Sequence, residues 1–186
     1  DDVDLIIAQS ARCRAILAKL RSLRSGDSGD PFARVPMGEL LEEVAAPLEG
    51  LGKSIFIEMP ETLDEPVFKR NVGLLYGLGN LIENATQFAR DRVTVEASWD
   101  RTSIGAVISD DGPGFPDDLI ARLGEPYLTT RARNTAPDSD APGGLGLGIF
   151  IAKTLLERSG ARLAFENAPS GGARVRIIWP RSAIEG

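Results

Sequence analysis

The chain has 186 residues, a formal net charge of −6, no histidine and one cysteine, Cys13. That length suits one compact domain plus a smaller appendage, and the apolar content is enough for a sizeable core. The acidity excludes a basic nucleic-acid-binding face, no run of about 18 apolar residues exists to contact or span a membrane, and one Cys without His excludes both an internal disulfide and a structural zinc site.

The opening Asp1-Asp2-Val3-Asp4 lacks the basic and then apolar pattern of a signal peptide and has no initiator Met, so a fragment of a longer, cytoplasmic protein is expected. Residues 1–24 read as a helix. Ile6, Cys13 and Leu20 recur every seven positions, Ile16 and Leu23 form a companion row, and alanines add helix propensity. Such a stripe needs a partner, either its own domain or a second helix in a dimeric bundle. Residues 25–31, Ser-Gly-Asp-Ser-Gly-Asp-Pro, read as a hinge linker, with a second domain over 32–186.

Within that domain the elements alternate. A short strand is predicted over 32–35. An amphipathic helix follows over 37–48, with Leu40, Leu41, Val44 and Leu48 on one face, and then a strand over 54–59. A long helix over 71–90 carries Leu74, Leu75, Leu78, Leu81, Ile82, Ala85 and Phe88. Residues 92–99 and 103–109 form an antiparallel pair across Asp100-Arg101-Thr102. A short helix over 116–123, a loop over 124–143 and a helix over 144–159 ending at Gly160 come next, and strands over 162–166 and 173–179 close the chain as a hairpin. This order predicts an α/β sandwich, one mixed sheet with helices on one face.

Three segments carry chemistry. Asn80 and Asn84 lie at i and i+4, so both amides project from one side of the long helix. Their oxygens are hard ligands suited to Mg²⁺; the plainer reading, ordinary surface amides, is weakened because Asn is a mediocre residue inside a helix. Asp110-Asp111-Gly112-Pro113-Gly114 follows a predicted strand. Bare backbone at Gly112 and Gly114 admits a flat ligand, and Asp110 can accept from an exocyclic amine; alone, the segment reads more readily as a plain Asp-Gly turn. In Gly143-Gly144-Leu145-Gly146-Leu147-Gly148 glycines alternate with leucines at a helix start, where free N–H groups favour a polyphosphate. The spacing is neither a P-loop nor a dinucleotide fingerprint.

Together, in this order, the three segments resemble the ATP-binding domain of sensor histidine kinases, within the superfamily of gyrase, Hsp90, histidine kinases and MutL. Asn80 to Asn84 resembles its N box, Asp110 to Gly114 its G1 box, Glu125-Pro126-Tyr127-Leu128-Thr129-Thr130-Arg131 its F box and following segment, and Gly144 to Gly148 its G2 box. The resemblance implies a Bergerat-type fold binding ATP and Mg²⁺. Asn84 would hold the metal with Asn80 in support, and Asp110 would read adenine in a pocket shaped by Gly112 and Gly114. Residues 124–143 would be a lid carrying the phosphate-contacting Arg131, and the backbone from Gly144 through Leu145, Gly146 and Leu147 to Gly148 would touch phosphates. Where the family often has Lys three residues after the second Asn, this chain has Gln87, so phosphate contact passes to Arg131, Arg133 or Arg90; Pro142 and Gly143 replace the usual Gly-Thr or Gly-Ser.

More narrowly, residues 11–17 and 148–160 resemble RegB/PrrB-type redox-responsive kinases, which implies redox sensing at Cys13. Arg12 and Arg14 favour its thiolate, whereas a plain core cysteine explains the heptad position equally well. The resemblance further implies a homodimer through a helical hairpin in the full-length protein and relay of phosphate to a response regulator receiver domain. The phospho-accepting histidine is absent from this chain. Two other classes remain, an ATP-driven conformational clamp and a non-catalytic docking domain; Asn80 stands where hydrolytic relatives carry their base Glu, which disfavours the clamp.

Overall fold

The structure is a computed structural model that describes residues 33–50, 52–61, 64–126 and 147–185. The expected helix over 1–24, the hinge over 25–31 and most of the predicted lid lie outside the described residues.

The first pair of strands is small. β1 (Arg34–Pro36) runs antiparallel to β3 (Val67–Lys69), with Val35 opposite Phe68. Between them come α1 (Met37–Ala45), a 3₁₀ turn (Ala46–Leu48) and β2 (Ser54–Glu58). Pro47 breaks the helix expected over 37–48, because it has no N–H to continue the ladder. β3 is too short to show an alternating pattern in sequence.

α2 (Val72–Phe88) starts where Asn71 Oδ1 accepts the Leu74 N–H at 2.7 Å. Its buried face, Leu74, Leu75, Leu78, Leu81, Ile82 and Ala85, follows the i, i+3, i+4 spacing. Then come β4 (Arg92–Trp99), β5 (Ser103–Asp110), α3 (Asp117–Ile120), α4 (Gly148–Arg158), β6 (Arg162–Asn167), β7 (Ala173–Pro180) and α5 (Arg181–Glu185). α3 is shorter than the helix expected over 116–123, α4 begins at Gly148 rather than 144, and the one-turn α5 has no sequence signal long enough to read.

The main sheet has five strands in the order β2-β4-β5-β7-β6. β2 and β4 are parallel and the other neighbours antiparallel. A parallel pair needs a crossover, and β3 with α2 supplies it. Alternation decides the faces: Val93, Val95, Ile104, Ala106, Ile108, Val175, Ile177 and Trp179 are buried under α2 and α4. The opposite face carries the exposed Phe56 and Ile178, with Arg92 stacked over the Phe56 ring at 5.2 Å. α2 and α4 approach closely at Gly77, where a Cβ would meet Leu156 Cγ at 2.7 Å. This contact puts the start of α4 beside the C-terminal half of α2, where the site lies.

Candidate functional site

α2 delivers the two amides. Asn80 Nδ2 donates to the Tyr76 carbonyl at 2.9 Å, which leaves its oxygen directed toward α4: a Cβ on Gly148 would sit 3.8 Å from Asn80 Oδ1. Asn84, one turn on, opens onto a cavity together with Phe88 at i+4. Arg90 and Gln87 are exposed at the end of the helix.

β5 delivers the acid. Asp110 is its last residue and only 9% exposed. One carboxylate oxygen, Oδ1, accepts from the Gly112 N–H at 2.8 Å and the Ala173 N–H at 3.2 Å. Among the described residues no donor reaches Oδ2. Burial pushes the Asp110 pKa up, the neighbouring Asp111 charge adds to the rise, and the two N–H donors only partly oppose it.

The loop after β5 is pressed onto the rest of the site at two glycines. A Cβ on Gly112 would lie 2.2 Å from the Phe88 carbonyl oxygen, so any side chain there would push the loop off α2. Gly114 takes a positive φ of 81°, which an L residue resists. Asp111 fixes the loop from behind. Its oxygens accept the N–H groups of Arg90 at 2.7 Å, Asp91 at 3.1 Å and Arg92 at 3.2 Å. Desolvation pushes the Asp111 pKa up, but the donors from Asp91, Arg92 and Arg90 outweigh it and hold it below the ordinary value.

These elements enclose a cavity of about 190 Å³. It is lined by Asn84, Phe88, Asp110, Pro113, Gly114, Phe115, Pro116, Ile149 and Ala173. Sites that enclose whole drug-sized ligands run to roughly 300–1,000 Å³, so this one matches a single flat ring. α4 starts at its rim, and among the described residues no side chain caps its N-terminus, where the first N–H groups of a helix favour an anion.

Of the residues singled out in sequence, Asn84, Asp110 and Gly114 line the cavity, and Gly112 is buried behind it. Asn80, Leu147 and Gly148 lie alongside at the α2–α4 junction. Arg131, Gly144, Leu145, Gly146 and Cys13 are outside the described residues. Sequence reading missed Phe88, Pro113, Phe115, Pro116, Ile149 and Ala173. Phe88 had a signal, since it shares the Asn84 face of α2; Ala173 had none, because only the β5–β7 pairing brings it to Asp110. Among the described residues no group of three or more His, Cys, Asp or Glu is placed to hold a metal.

The family described as histidine kinase-, DNA gyrase B-, and HSP90-like ATPase matches residues 70–183, more than half of the chain. The sensor histidine kinase RegB of Cereibacter sphaeroides is 40% identical over 97% of this chain, which spans only 42% of that relative. The sensor histidine kinase CpxA of Escherichia coli is 28% identical over 76% of the chain, which spans 30% of it. Among solved structures, a mycobacterial sensor histidine kinase MprB superposes with a TM-score of 0.63 at 23% identity, covering 80% of this chain and 97% of that one. Full-length ShkA in complex with AMPPNP gives 0.64 at 24% identity, covering 88% and 34%. At these identities the structural likenesses speak for the fold alone, and they agree with the five-stranded mixed sheet under helices. With the family match and the RegB identity added, the chain belongs to the histidine kinase-, DNA gyrase B-, and HSP90-like ATPase family, as a RegB-type histidine kinase ATP-binding domain.

Proposed function

We propose that this chain is the catalytic ATP-binding part of a two-component sensor histidine kinase, which donates the γ-phosphoryl group of ATP to a histidine on a polypeptide segment absent here. The observation that carries the reading is the convergence of three elements on one cavity: Asn84 from α2, Asp110 from β5 and Ile149 at the start of α4. The adenine ring fills the cavity, and its exocyclic amine donates to the open Oδ2 of Asp110. The ribose and phosphates leave past Asn84 toward Asn80 and Gly148, where free N–H groups and the positive helix end meet negative charge.

Magnesium fits this donor set only sparsely, and sparsely is how it binds. With one amide oxygen at Asn84 and no carboxylate cluster among the described residues, the ion would take most of its ligands from phosphate and water. Bound there it would neutralise charge on the phosphates. The chain's own residues orient the nucleotide and hold its γ-phosphorus toward the incoming imidazole nitrogen. The bond from the γ-phosphorus to the bridging oxygen breaks, a nitrogen–phosphorus bond forms and ADP leaves. Arg131 and the backbone of Gly144 to Gly148 are assigned to the phosphates, and Cys13 to redox control of the full-length dimer. The phosphate then passes to a response regulator receiver domain. On this reading the chain is the cytosolic portion of a membrane-anchored sensor; among its described residues no helix is long and apolar enough to cross a membrane.

The test mixes this chain with ATP, Mg²⁺ and a separate polypeptide bearing a histidine-containing helical hairpin. Phosphohistidine on the second polypeptide, lost with Asn84→Ala and with Asp110→Ala, is the expected result. Multiple-turnover ATP hydrolysis without phosphohistidine would instead indicate a clamp-type ATPase.

A further inference from the structure

We propose that Asn167 is a positioning residue that holds the Gly114–Phe115 wall of the cavity in register with Asp110, and so sets the fit of the cavity to a purine ring. Asn167 is the last residue of β6, 52 positions from the wall it touches. Its Oδ1 accepts the Phe115 N–H at 2.7 Å and its Nδ2 donates to the Phe115 carbonyl at 2.8 Å. One side-chain amide therefore reproduces the two-point pairing of neighbouring strands.

The Asp110 part of the lining reaches the same residue through its backbone. Asn167 is the strand partner of Ala173, and Ala173 lines the cavity and donates to Asp110 Oδ1. These two parts of the lining thus meet at Asn167, which is not itself one of the lining residues. Two neighbours reinforce the link. The Phe115 ring packs edge-on against Phe165, two residues before Asn167, with centroids 6.1 Å apart. A Cβ on Gly114 would stand 2.7 Å from Asn167 Oδ1, so the amide can approach Phe115 only across bare backbone. The bonded groups are exposed, so when the clamp is removed water takes its place. The fold survives that loss while the wall loosens.

This inference rests on the reading of the cavity as an adenine site. The test measures affinity for ATP and for inorganic tripolyphosphate, each with Mg²⁺, in the unsubstituted chain, Asn167→Ala, Asn167→Asp and Asp110→Ala. Asn167→Ala should weaken ATP about tenfold and leave tripolyphosphate within about twofold. Asn167→Asp keeps the acceptor for the Phe115 N–H but turns a carboxylate oxygen against the Phe115 carbonyl, which repels it, so its loss should be at least that of Asn167→Ala. Hydrogen exchange at the Phe115 N–H should be slowed in the unsubstituted chain and fast in Asn167→Ala. If ATP binds and Asp110→Ala abolishes it while both Asn167 variants bind normally, the positioning role is wrong and the adenine site stands. Equal losses for ATP and tripolyphosphate, or a Phe115 N–H exchanging like an open amide in the unsubstituted chain, would also overturn it. A chain that binds no ATP at all removes both readings.

Discussion

Asp100 and Asp110 flank the same strand, and their carboxylates are treated in opposite ways. Asp100 sits in the turn between β4 and β5. Its Oδ1 accepts from the Thr102 N–H at 2.6 Å, the Ser103 N–H at 2.8 Å and the Thr102 hydroxyl at 2.8 Å, and its Oδ2 accepts from the Ser103 hydroxyl at 3.1 Å. The Thr102 N–H bond leads these donors in holding its pKa down at about 2. The surroundings are equally satisfied. Arg181 donates to the Asp100 carbonyl at 2.9 Å and pairs with Asp64 and Glu185, both at 2.9 Å. At the other end of β5, Asp110 is buried in the lining of a cavity, its Oδ1 held by backbone and its Oδ2 met by no donor among the described residues, and its pKa rises. On the proposed reading, these two aspartates of one hairpin separate a structural acid from a binding one. The structural acid uses its lone pairs locally, whereas the binding acid is desolvated and, among the described residues, keeps an acceptor for a ligand.

The largest test of that contrast lies in the backbone that creates the open acid. Gly172 has a φ of 89°, and a Cβ there would lie 1.8 Å from the Asp110 carbonyl oxygen. Gly172→Ala combines left-handed strain of about 1–2 kcal/mol with overpacking of about 1–3 kcal/mol. Chemical denaturation should show a loss of about 2–5 kcal/mol, with ATP binding abolished. Gly171→Ala is the control: its φ is 93° but among the described residues nothing lies within 4 Å, so only the strain should register. Equal losses in the two variants would mean that the β6–β7 turn does not press on Asp110.

Next comes the acid itself. Asp110→Asn keeps an oxygen for Gly112 and Ala173 but turns an N–H donor toward the cavity. An adenine amine then meets a donor, and ATP affinity should fall about 100-fold, roughly the loss of one charged hydrogen bond plus an unsatisfied donor. ITP, whose purine carries a carbonyl at that position, should gain. Competition titration of the two nucleotides checks the reversal. The raised pKa adds a signature in pH. ATP affinity should fall as pH drops through the Asp110 pKa, starting above the 3.8 of an ordinary aspartate. Ligand-free stability runs the other way: the contribution of a group with a raised folded pKa is present below its unfolded value and is lost as pH rises through the folded one. The part of both slopes that Asp110 contributes should vanish in Asp110→Asn.

Gly148→Ala sharpens the comparison at the phosphate side. Among the described residues its Cβ would meet nothing closer than Asn80 Oδ1 at 3.8 Å, which leaves room for it there. Stability should hold or rise by up to about 1 kcal/mol from helix propensity. Triphosphate affinity should fall about tenfold if phosphates approach this backbone. Unchanged affinity by calorimetry would place the phosphates elsewhere.

How far sequence reached depended on whether a feature was local. The α2 stripe from Leu74 to Ala85 and the β4–β5 pair around Asp100-Arg101-Thr102 were legible because periodicity and turn residues are written within a few positions. Asp110 was legible because it ends a strand before glycines. Asn167 and Ala173 were not: they enter the site through β5–β7 and β6–β7 pairing, and register between distant strands leaves no mark in either segment. β3 and α5 escaped because three and five residues are too few to show a period.

The smallest effect belongs to the satisfied acid. Asp100 is fully exposed, so Asp100→Ala should loosen the β4–β5 turn without touching the cavity. Its folded pKa of about 2 lies below the ordinary 3.8, so the stability it contributes is complete above 3.8 and disappears as pH falls through about 2. The unsubstituted chain should therefore be modestly more stable than Asp100→Ala at neutral pH, and that margin should narrow in urea titrations taken from pH 4 toward pH 2. ATP affinity should be the same in both. If Asp100→Ala weakened nucleotide binding as Asp110→Asn does, the two ends of β5 would be coupled, and local satisfaction would no longer explain why only one of these acids is available to a ligand.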